Sequence, residues 1–168
     1  MLNKWMPIFV LMKFYSIHQT HQLPISQKEA WAFLSSADNL SRIMPDDMHF
    51  EVQSKIDKPI YPGQLIEYKV TPFKGFTTKW VTEINHVQEP HYFVDTQLVG
   101  PYKIWHHTHI LHPNDKGVLI EDQVRYQMPF GILGELVHPI VVRPQLNKIF
   151  KAREEKMNEL FRKKAEIK

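Results

Sequence analysis

The chain has no cysteine. That excludes a disulfide scaffold and any thiolate chemistry. It has only 6 glycines in 168 residues, and none forms a G-x-G-x-x-G or G-K-[ST] phosphate loop. There is no G-x-S-x-G nucleophile turn either. Its most apolar opening run, Met6 to Met12, is far shorter than the roughly 20 residues a bilayer-crossing helix needs. A signal peptide is not expected, because no small-residue cleavage site follows that run. No stretch interleaves basic residues with aromatics, so no nucleic-acid surface is expected. Repeats and low-complexity tracts are absent, which argues against solenoids and linkers.

What is present fits one domain. Hydrophobic residues make up 43% and charged residues 23% of the chain, and the net charge is +3. Acids and bases alternate over Lys148 to Lys168, as on a solvated helix face. Residues 1–11 read as an extension and residues 12–168 as the domain. A disulfide-free chain of this size is at home in the cytosol, and stable membrane insertion is not expected.

The order of elements follows from periodicity. Residues 8–22 alternate as a strand. Ser26 and Glu29 form the S-x-x-E box that starts a helix. A second short helix is expected over Asn39–Met44, stopped by Pro45. Six strand patterns follow: HFEVQSKI, PGQLIEYKVTPF, FTTKWVTEINHV, HYFVDTQLVG, YKIWHHTHILH and GVLIEDQVRYQMP. Short strands with turns between them indicate an antiparallel meander. After the interrupted segment FGILGELVHPIVV, Pro144 begins an amphipathic helix of about twenty residues. Strand, helix pair, six strands and long helix make an α+β layout, with room between sheet and helix for a small ligand.

The richest strand is IWHHTHIL. Alternation puts Trp105, His107, His109 and Leu111 on one face and His106 on the other. In the next strand Val118, Ile120, Val124, Tyr126 and Met128 form the apolar face, and Asp122 stands in its middle. If the Trp105 set is inside, Asp122 falls opposite His107 or His109, depending on loop register. A buried aspartate without a partner is costly, and a histidine opposite it removes the cost. Asp95 and Gln97 are candidates to join the cluster. As a metal site, His107, His109 and Asp122 lack a settled third or fourth ligand, so no metal and no cofactor is expected. A His–Asp pair also suits general acid–base work.

The runs PISQKEAWAFLSSADNLSRIMP, KWVTEINHVQEPHYFVDTQLVGPYKIWHHTHILHP and VLIEDQVRYQMPFGILGEL resemble the START-like, or SRPBCC, superfamily. They are most similar to its bacterial ligand-binding branch, labelled polyketide cyclase/coenzyme Q-binding-like or cell-division-inhibitor-like. The resemblance covers about residues 12–157. It implies a helix-grip fold, a curved antiparallel sheet of about seven strands around a long C-terminal helix, with an apolar cavity between. It implies a lipid, quinone, polyketide or similar ligand, and no established catalytic residue to carry over.

The expected function is binding of a small hydrophobic molecule. Trp80, Trp105, Tyr126, Phe150 and Met157 are expected to line the cavity, with His107, His109, Asp122 and Asp95 orienting the ligand's polar end. FGILGEL is either a mobile lid or a short packed helix. The alternatives are a cyclase- or hydratase-type enzyme using the His–Asp pair, and a module that delivers its ligand to a partner protein.

Overall fold

Strands β1 (Phe14–Leu23), β2 (His49–Val52), β3 (Leu65–Phe73), β4 (Phe76–Gln88), β5 (Tyr92–Val99), β6 (Ile104–Asn114) and β7 (Gly117–Gln127) form one antiparallel sheet. Their order is β1-β7-β6-β5-β4-β3-β2. Consecutive strands from β2 to β7 are neighbours, and β1 closes on β7, so the meander read from the turns is the fold. The computed structural model describes residues 13–56, 59–73 and 75–165. The expected extension 1–11 and the start of the 8–22 strand pattern lie outside the described residues.

Helix α1 (Gln27–Leu34) starts at the expected box: the Ser26 side chain accepts from the Glu29 amide, and the Glu29 carboxylate accepts from the Ser26 amide. The helix buries Ala30, Trp31 and Phe33. The second helix comes two residues earlier than the pattern suggests, as α2 (Ala37–Leu40) running into a 3-10 turn at Ser41–Ile43. Strand β2 ends at Val52 rather than Ile56.

The C-terminal part is helical throughout. Helix α3 (Ile132–Val137) passes through a π turn (His138–Val142) into α4 (Arg143–Ala165). Pro139 does not break it, because the π turn absorbs the missing donor. The FGILGEL segment is therefore mostly helix, with Ile132, Leu133 and Leu136 exposed. No helix among the described residues is long and apolar enough to cross a membrane.

Alternation in β6 and β7 comes out as the sequence implies. Trp105, His107, His109 and Leu111 are buried, and so are Val118, Ile120, Asp122, Val124 and Tyr126. The hairpin turn fixes their register. Asn114 pairs with Gly117, which sets His109 directly opposite Asp122. Gly117 has φ of 118°, and a Cβ there would stand 2.3 Å from the Leu23 carbonyl oxygen. Gly117→Ala is accordingly expected to cost about 2–3 kcal/mol. Denaturant melts of the two proteins check this, and an unchanged midpoint would contradict it.

Candidate functional site

A cavity of about 210 Å³ lies between the concave face of the sheet, α4 and the α2 turn region. Most of its wall is apolar, from Phe33, Ile43, Ile66, Val70, Ile84 and Phe150. Trp80 and Trp105 meet edge to face with ring centroids 5.5 Å apart, and Tyr102 lies 4.8 Å from Trp105. This contact geometry favours aromatic packing. The polar residues of the wall include the cluster Thr82, Asp95, His107, His109 and Arg153, with Ser35, Ser36, Asn39 and Gln145 elsewhere along it.

Strands β4 to β7 build that patch by parity and register. His107 Nε2 is 2.7 Å from Asp122 Oδ1, and His109 Nε2 is 2.8 Å from Asp95 Oδ2. The Thr82 hydroxyl donates to Asp95 Oδ1 over 3.0 Å. His109 Nδ1 lies 3.2 Å from Asp122 Oδ1, so this imidazole stands between two carboxylates. The two histidine rings lie with centroids 3.6 Å apart and planes tilted by 32°, and Phe93 stacks on His109 at 4.1 Å. Gln97 does not join; it bonds the Tyr102 backbone instead.

The two histidines titrate in opposite directions. Burial, assisted by the neighbouring His109, lowers the His107 pKa to about 4, against the pull of Asp122 and Asp95. Burial also works against a charge on His109, but its bonds to Asp122 and Asp95 overcome this and raise its pKa. Burial opposes ionisation of Asp122, yet the Arg153 charge and the two histidine bonds hold it well below the carboxylate range. Burial likewise opposes ionisation of Asp95, which His109 outweighs. His107 is thus a neutral imidazole whose Nε2–H points at Asp122, leaving Nδ1 as an acceptor.

Of the residues expected to form the site, Trp80, Asp95, Trp105, His107, His109 and Phe150 stand in the cavity wall. Asp122 is directly behind it. Tyr126 and Met157 do not reach the cavity. The Tyr126 hydroxyl bonds His138 Nε2 at 2.7 Å and borders a separate groove between β1 and the C-terminal helices. Met157 is packed in the core with Phe33 and Phe161, beyond the cavity's end.

Arg153 is the residue that the sequence reading missed. The buried stripe of α4 is Leu146, Phe150, Arg153, Met157 and Phe161. A cation in the middle of an apolar heptad-like face is a sequence signal, visible once the stripe is traced through it rather than around it. The side chain is 7% exposed, with Nη2 3.6 Å from Asp122 Oδ1 and the guanidinium over the Phe150 ring at 5.4 Å.

Asp95, His107 and His109 also bring three possible metal-ligand atoms within 4.8 Å of one another. The donor set is chemically apt for a divalent transition metal.

No family model matches the chain, and no curated protein matches it. Solved structures do. TTHA0849 from Thermus thermophilus superposes with a TM-score of 0.65 at 14% identity, over 87% of this chain and 99% of that one. Ara h 8.0201 gives 0.60 at 16% identity, over 88% and 99%. The di-domain ARO/CYC StfQ of the steffimycin biosynthetic pathway gives 0.67 at 14% identity, over 90% of this chain and 52% of that one. The architecture and these likenesses together define the fold: a helix-grip α+β arrangement, a curved antiparallel sheet around a long C-terminal helix, shared with these proteins.

Proposed function

We propose that the chain binds a small, largely apolar molecule in the cavity between its sheet and α4. The observation that carries this is the wall itself: a mostly apolar, aromatic-rich lining into which the buried cluster of Asp95, His107, His109 and Arg153 is set. Such a wall buries a hydrophobic body and orients one polar end. The neighbours fit this reading, since one is a Bet v 1-like protein and another carries the name ARO/CYC in a biosynthetic pathway. The volume of about 210 Å³ is below the ~300–1,000 Å³ of drug-sized pockets. A compact ring system therefore suits it better than a long-chain lipid. The setting in this reading is cytosolic.

Native mass spectrometry of freshly expressed protein tests the reading, with extraction of whatever co-purifies. A stoichiometric apolar adduct is expected. A cavity that stays empty and takes up no aromatic or polyketide mimic would contradict it.

One observation favours a second reading. His107 is neutral, buried in the cavity wall and oriented by Asp122, with its Nδ1 making no hydrogen bond among the described residues and lying 3.9 Å from Asp95 Oδ2, an arrangement that suits a general base. In a cyclase- or hydratase-type enzyme, His107→Ala abolishes turnover and spares ligand affinity. In a binding protein no variant turns anything over, and affinity falls.

A further inference from the structure

We propose that Arg153 is the specificity-determining residue of the cavity, and that the ligand it selects presents an uncharged, ketone-type carbonyl oxygen on a flat aromatic body. This rests on the binding reading above and adds the chemical class of the ligand.

The guanidinium carries five N–H donors in a fixed fork. Its Nε is buried with no hydrogen-bond partner. Its nearest carboxylate oxygen, Asp122 Oδ1, is 3.6 Å from Nη2, longer than a hydrogen bond. The neighbouring acceptors are already engaged. Asp122 Oδ1 holds His107, and the two oxygens of Asp95 hold Thr82 and His109. A buried donor without a partner is rare in native proteins and destabilising. Arg153 lines the cavity, so an acceptor carried by a ligand can approach its guanidinium there.

Charge decides what kind of acceptor. Two carboxylates, Asp95 and Asp122, stand beside the one guanidinium of Arg153, with His109 between them. They already match the cationic charge at hand, and an anionic ligand would add a buried negative charge with no free counter-charge. A neutral carbonyl oxygen satisfies Arg153 without that cost. Trp80, Tyr102, Trp105 and Phe93 in the wall select the flat ring that carries it.

Calorimetric titration with three matched probes tests this: 2-acetylnaphthalene, 2-ethylnaphthalene and 2-naphthoate. The ketone is expected to bind about tenfold tighter than the ethyl compound, the weight of one hydrogen bond to a charged donor. The carboxylate is expected to bind more weakly than the ketone. In Arg153→Met the ketone's advantage over the ethyl compound disappears, while the ethyl compound itself still binds. Equal binding of ketone and ethyl compound to the wild-type protein would overturn the assignment and leave the cavity reading standing. Tighter binding of the naphthoate would overturn the uncharged acceptor. Failure of all three probes would overturn the binding reading itself. The wild-type series decides the matter even if Arg153→Met does not fold.

Discussion

Asp122→Ala is expected to lower the stability of the fold by about 3–5 kcal/mol. The carboxylate sits in the middle of the inner face of β7, 2.7 Å from His107, 3.2 Å from His109 and 3.6 Å from Arg153. Removing it takes the nearest carboxylate from the buried Arg153 guanidinium and from both histidines. Asp122→Asn keeps the shape and loses the charge, and falls between wild type and alanine. The adjacent residue is an internal control. Glu121 also has two histidine partners, His18 at 2.8 Å and His112 at 2.7 Å, but on the outer face of the same strand. Water screens those pairs, so Glu121→Ala should cost no more than about 1 kcal/mol. Urea denaturation of the three variants checks this. Equal losses at 121 and 122 would mean that burial of the cluster contributes nothing.

The second large effect is on pH dependence. His107 is surrounded by His109 on its own strand, Asp122 on β7, Asp95 on β5 and Arg153 on α4. Its pKa in the fold is about 4, against 6.5 for a free imidazole. Between those values the unfolded chain binds the proton and the folded chain does not. Stability therefore falls as pH drops from 6.5 toward 4, by an amount on the order of 2–3 kcal/mol. His138, whose pKa is also lowered chiefly by burial, adds to the loss with the same sign. His109 acts oppositely. Its raised pKa contributes stability that is complete below 6.5 and is lost as pH rises through the folded value. Thermal melts across pH 4–8 should show a maximum near 6.5. In His107→Gln the acid limb flattens and the alkaline limb stays. An acid limb equally steep in that variant would assign the titration elsewhere.

Much of this site is legible in the chain because a strand has period two. Parity separates Trp105, His107 and His109 from His106, and the apolar set around Asp122 in the next strand indicates which face is inside; the structure buries both sets. Register needed the turn. With Asn114 opposite Gly117, His109 is the direct cross-strand partner of Asp122, but the hydrogen bond runs diagonally to His107. His109 turns its Nε2 to Asp95 on the other side, so backbone pairing does not make that choice. Depth along the cavity is a tertiary quantity and is not in the pattern. Tyr126 and Met157 are on the inward faces of β7 and α4, yet one turns to His138 and the other packs beyond the cavity end. Arg153 was hidden for another reason: reading α4 for apolar spacing steps over a charge that stands in the stripe. Tracing the stripe through every i+3 and i+4 position exposes it.

The central claim is that a small aromatic molecule occupies the space between the sheet and α4. Isotope labelling of isoleucine methyl groups tests it most directly. Ile43, Ile60, Ile66 and Ile84 line the cavity, whereas Ile25 and Ile120 are buried outside it. On titration with 2-acetylnaphthalene, the first four methyl signals should shift saturably and the last two should stay. Unmoved cavity methyls, or shifts confined to Ile17 in the groove beside Tyr126, would contradict the account.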